Sequence, residues 1–200
     1  MLTKNRKFEH FSHVSSQEYF AQLLTLQDID WLRLPLLQGL ATSAISGAEG
    51  LVRASRSALT QFLNSQPDPR RQEILMVFLQ DLSTVLSDNL HDDRFAIPAV
   101  EFVAFLIDSY LSVIPAGSDP RFVNSSSIAY ISIPSTDIFF LFSFRKLFTL
   151  VQKAHFRSAN IARLEAAVKV YAALSRIDSL RDGVLKKMTG LLLHPFPRVR

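Results

Sequence analysis

The residues that could do chemistry are few. His10 and His13 stand three apart behind Glu9, a spacing that places two imidazoles on one helix face as metal ligands would stand. No third ligand accompanies them beyond Glu9, and the pair reads as a chance arrangement in a polar leader. Asp92-Asp93 is an acidic pair in the polar run His91 to Arg94, better suited to capping a helix than to holding a cation. Gly47-Ala48-Glu49-Gly50 lacks the Lys-Ser/Thr that a phosphate-cradling loop needs. Ser55, Ser57 and Ser125 to Ser127 sit in no strand–turn–helix elbow, so no nucleophile is indicated. His155 lies in the C-terminal part of the chain, and His194, before Pro195, reads as a helix-end residue rather than a general base. There is no Cys, which removes disulfides, thiolate metal sites and a Cys nucleophile and fits a reducing compartment. The expectation is a protein with no catalytic residue, no cofactor and no metal.

Charge is the stronger signal. The 200 residues carry 22 Lys+Arg and 18 Asp+Glu, net +4. Residues 1–143 are net −5 and residues 144–200 net +9, an asymmetry that predicts a basic surface for an acidic partner. Arg163, Lys169, Arg176, Lys186 and Lys187 are the candidate partner-binding residues, read as exposed. The alternative is an ordinary solvated helix face. Nucleic acid is the less favoured acidic partner, because Phe144, Phe148, Phe156 and Tyr171 fall at core-like spacing and leave few rings for base stacking. With 48% apolar and 20% charged residues the chain is not wholly disordered. No apolar signal segment follows Met1. The most apolar stretch, Ile128 to Val151, is broken by Pro134, Asp137, Arg145 and Lys146, so no membrane span is expected and the chain reads as soluble and intracellular.

The elements that must position these residues are helices. Ser15-Ser16-Gln17-Glu18 has the form of a capping box, and Tyr19, Phe20, Leu23, Leu24 and Leu26 follow at helical spacing. Asp28 and Asp30 open a second helix with Trp31, Leu32, Leu36, Leu37 and Leu40 inward, kinked or restarted at Pro35. Ser46 to Glu49 is a stop and restart, after which Arg53, Arg56 and Gln61 point outward from a third helix. Asp68-Pro69 caps a fourth. Residues Pro98 to Ile114 are apolar on nearly every side, which predicts a helix sandwiched between neighbours. Three more helices follow residue 143, one capped by Ser158 or Asn160. About eight helices in antiparallel pairs of roughly 40–47 residues predict an all-α fold, an α-solenoid of HEAT/armadillo type, with a globular bundle as the alternative.

Three segments carry a resemblance: LRLPLLQGLATSAISGAEGLVRASRSALTQFL at 32–63, LVQKAHFRSANIARLEAAVKVYAAL at 150–174 and LLLHPFPRVR at 191–200. Together they resemble the C-terminal domain of the tubulin-folding cofactor D family. The resemblance implies a HEAT-repeat chaperone acting after the chaperonin, which captures β-tubulin, joins cofactor E carrying α-tubulin and assembles the α/β heterodimer. It implies that, with cofactor C, the complex stimulates tubulin GTP hydrolysis, and that an Arf-like small GTPase is a partner. It also implies a cytoplasmic protein of the microtubule cytoskeleton. Acidic tubulin suits the basic 144–200 part. A HEAT/armadillo adaptor with unrelated cargo, or a helical nucleic-acid binder, are the other readings.

Family members are several times longer, so the chain is expected to hold part of the cofactor: a flexible leader at 1–14, helical repeats at 15–121, and basic repeats at 144–200 that stop where a next helix should begin. Between them, residues 122–143 carry one charge, Asp137, and are rich in Ser, Ile and Phe. They read as a hydrophobic insertion or, preferably, as an intron read through in frame, since Val123-Asn124, Thr136-Asp137 and Ile138 to Phe142 can be encoded by a splice-donor start, a branch-point-like string and a pyrimidine tract. A cDNA lacking those codons would establish this, and a peptide from Ser127 to Phe139 in the mass spectrum would exclude it.

Overall fold

Each helix begins where the chain supplies a cap and ends where it supplies a turn. In the computed structural model, which describes residues 15–114, 142–197 and 199, α1 (Ser16–Leu24) starts on a complete capping box: Ser15 Oγ accepts the Glu18 N–H and Glu18 accepts the Ser15 N–H. A 3₁₀ turn at Thr25–Asp28 leads into α2 (Asp30–Ser46), so Asp28 closes the turn and Asp30 opens the helix. After it come α3 (Glu49–Ser65) and α4 (Asp68–Asp88). In α4 Asp68 is the first helical residue rather than the cap, and Pro69 follows it within the first turn, where a missing N–H costs nothing. Then come α5 (Asp93–Tyr110), α6 (Phe144–His155), α7 (Ile161–Leu174) and α8 (Arg181–Leu192). The fold is all-α, with the eight-helix count the sequence predicts among the described residues.

Three expectations shift. Pro35 neither ends nor restarts α2, and α5 begins at Asp93, five residues before Pro98. In both helices proline is the sixth residue. It therefore removes a single early i→i−4 hydrogen bond, and the packing of the remaining turns holds the helix together. Arg56 does not point outward: its Nε donates to the Ala44 carbonyl at the end of α2 (2.9 Å) and its guanidinium lies 5.2 Å from the Phe105 ring centre.

The helices stack in a row, as in an α-solenoid. α1 packs on α3, α3 on α2, α2 on α4 and α5, α5 on α7, and α7 on α6 and α8. At the centre, α5 buries Ala96, Val100, Phe102, Val103, Leu106 and Ile107 among others, matching the sandwiched helix that its all-round apolar sequence predicts. Phe102, Phe78 on α4 and Tyr171 on α7 are among the largest fully buried side chains. The 1–14 leader and residues 122–141 of the apolar segment lie outside the described residues. Of that segment only its last two residues are described: Phe142 is buried with its ring edge-on to Phe144, and Ser143 caps α6.

Candidate partner-binding surface

The five cations singled out in the sequence are carried by α7, its C-terminal turn and α8, and the structure divides them. Asn160 caps α7 by accepting the N–H groups of Ala162 and Arg163, which turns the Arg163 side chain back into the junction of three elements. Its Nε donates to Asp93 Oδ1 at 2.5 Å, and its Nη1 donates to the Leu90 carbonyl at 2.8 Å and the Ala154 carbonyl at 2.7 Å. Only 13% of that side chain is exposed. Arg163 is therefore not the exposed cation the sequence reading takes it for. Its fork of donors closes the α4–α5 turn and the last turn of α6 against α7.

Lys169 and Arg176 are exposed, yet each has an acid on α5. Lys169 Nζ lies 2.7 Å from Glu101 and Arg176 Nη1 lies 3.1 Å from Asp108. The partners rise together in number, Asp93 with Arg163, Glu101 with Lys169, Asp108 with Arg176. The two helices therefore run parallel, and the rungs recur about every two turns. Such parallel stacking is what like helices of successive repeats make in a solenoid. It also accounts for part of the charge asymmetry, since three cations of the basic part are matched by three acids of the acidic part.

Lys186 and Lys187 on α8 are exposed and in no ion pair among the described residues. The positive charge of Lys187 reaches the His155 imidazole at the end of α6. That ring lies 2.5 Å from the Tyr171 hydroxyl and edge-on to its ring. Burial, with Lys187 adding to it, holds His155 below the ordinary histidine pKa, and burial pushes the Tyr171 phenol up. The pair is a packed joint between α6 and α7. Asp92 and Asp93 are likewise structural: Asp92 accepts the Arg94 N–H as the cap of α5, and Asp93 faces Arg163. His10 and His13 lie outside the described residues. Among the described residues, no three His, Asp or Glu side chains gather as a metal site, and no helix is long and apolar enough to cross a membrane.

One feature escapes sequence reading. A groove of about 630 Å³ opens between α1 and α2, and Trp31, expected inward, is 79% exposed. Leu51, at the start of α3, lines its edge rather than the interior. The available signal was an apolar surface on α1 and α2 wider than one neighbour can cover.

Residues 2–163 match the family model described as "Tubulin folding cofactor D C terminal". The match takes in α1 to α6 and the first turn of α7, including all of the 32–63 segment. No curated protein and no solved structure matches the chain.

Proposed function

Because the chain belongs to the tubulin folding cofactor D family, through its C-terminal domain, we propose that it is a non-enzymatic, tubulin-binding chaperone module. In this reading it holds β-tubulin and supports assembly of the α/β heterodimer after the chaperonin, in the cytoplasm and at the microtubule cytoskeleton. Cofactors C and E, α-tubulin and an Arf-like small GTPase are the expected companions, and any effect on GTP hydrolysis is exerted on tubulin's own active site. The match over residues 2–163 carries the reading.

The solenoid supports a mechanism based on surface rather than on reacting groups. Stacked helices present a continuous ridge that can grip a folding intermediate, and free cations steer an acidic one. Of the five candidate cations, Lys186 and Lys187 are the ones in no ion pair among the described residues. Lys169 and Arg176 offer partly neutralised charge at the α5–α7 seam, and Arg163 contributes by fixing the helices that carry the others.

Purified tubulin pulled down by residues 1–200 at low and moderate salt tests the proposal. The expected result is capture that weakens as salt rises and falls at least tenfold in Lys186→Glu/Lys187→Glu. A folded chain that captures no tubulin at low salt overturns it and leaves the alternative, a helical adaptor with unrelated cargo.

A further inference from the structure

Three helices meet around the His155–Tyr171 hydrogen bond. Tyr171 on α7 is fully buried, and its hydroxyl lies 2.5 Å from Nε2 of His155 at the end of α6. The two rings stand edge-on, their centres 5.5 Å apart. Phe148, also on α6, meets Tyr171 in the same way at 5.7 Å. Against Phe148 comes the backbone of α8, since a side-chain atom added at Gly183 would lie 3.6 Å from that ring. An aromatic cluster with a polar bond at its edge thus joins α6, α7 and α8.

That bond has a direction. Among the described residues the Tyr171 hydroxyl has no other hydrogen-bond partner, and a buried hydroxyl whose proton finds no acceptor is costly. Neutral imidazole supplies the acceptor, its bare Nε2, whereas an imidazolium has no bare nitrogen. Once His155 is protonated, its N–H donates to the hydroxyl oxygen and the hydroxyl's own proton is left without an acceptor. The charges around the ring do not offset this. From α8, Lys187 reaches it with like sign. From α7, Arg163 lines the same crevice, and Asp93 matches its charge. From α5 come only Ala96, Ile97 and Val100, which carry none. Its own helix adds Lys153 in the same last turn.

His155 is only half-buried, so protons from solvent reach it. We propose that the His155–Tyr171 bond is a pH-sensitive joint: protonation of His155 undoes it and loosens α6 and α8 from α7 while α2 to α5 stay packed. The break falls there because α8 reaches the stack mainly through α7, and α6 through α7 and α4, whereas α5 is packed on α2, α4 and α7. α8 also carries Lys186 and Lys187. Where those lysines hold an acidic partner, a consequence that rests on the function proposed above, their placement becomes pH-dependent.

Amide hydrogen exchange of residues 1–200 between pH 7.5 and pH 5.5, corrected for the intrinsic pH dependence of exchange, tests this without tubulin. Protection in α6 and α8 is expected to lie below that of α5 at every pH. It should also fall more than about twofold and at most about tenfold, the limit one pH unit below the ordinary histidine value. His155→Gln keeps a carbonyl acceptor that does not titrate and should flatten the fall. Tyr171→Phe keeps the ring and removes the hydroxyl, so the His155 ring signal in proton NMR should titrate at higher pH than in the wild type. Protection in α6 and α8 that does not lie below that of α5, or that falls less than about twofold, overturns the inference. So does a His155→Gln chain whose protection falls as the wild type's does. An unmoved His155 titration in Tyr171→Phe overturns it as well, and decides the matter should the glutamine variant fail to fold. Failure here leaves tubulin capture at neutral pH unaffected, because that rests on Lys186 and Lys187.

Discussion

Arg163 and the His155–Tyr171 pair carry the residue-scale consequences. Truncating Arg163 leaves the Leu90 and Ala154 carbonyls and the Asp93 carboxylate without their common donor. Arg163→Ala should therefore cost about 2–4 kcal/mol in urea unfolding. Arg163→Lys should recover little, because an ammonium cannot serve three divergent acceptors from one planar fork. Lys169→Ala and Arg176→Ala remove exposed pairs and should each cost under about 1 kcal/mol by the same measurement. For His155 the sign follows from linkage. Its folded pKa lies below the ordinary histidine value of about 6.5, so as pH falls through that value the unfolded chain takes up a proton first and stability drops, until the lower folded value is reached. Thermal melts from pH 8 to pH 5 should show this decline, and His155→Gln should lose that part of it. None of this was legible in the sequence, where Arg163 is one more basic residue and His155 one more polar helix end. What decides their roles is which carbonyls and rings converge on them from residues tens of positions away.

Among the elements, α5 governs stability. It touches α2, α4 and α7, and Phe102→Ala at its centre should lower the unfolding free energy by about 3–5 kcal/mol through lost burial and the cavity left behind. Measurement by denaturant titration would check this, and the same truncation at exposed Phe156 should be within a few tenths of a kcal/mol. Element existence was legible because the caps are local: Ser15 with Glu18, and Asn160 with the N–H groups of Ala162 and Arg163, are close in the sequence. Element boundaries near proline were not. Whether a helix runs through Pro35 or Pro98 depends on whether tertiary burial compensates one missing hydrogen bond, and the sequence window does not contain that neighbour. Trp31 shows the same limit, since spacing places it on an apolar stripe but cannot say that none of the described helices covers it.

For the molecule as a whole, part of the charge imbalance is a seam, because acids of α5 face cations of α7 and its C-terminal turn across it. Tubulin capture, if carried by α8, should consequently be insensitive to Lys169→Ala in the pulldown while remaining sensitive to reversal of Lys186 and Lys187. The seam also has a mechanical meaning. Its three rungs recur every two turns on parallel helices, so sliding α7 along α5 by a single turn, about 5.4 Å, would unfasten all of them at once. A rocking of one helix on the other opens them one after another. These pairs thereby oppose sliding more than tilting, like a spine whose vertebrae tilt more readily than they slip.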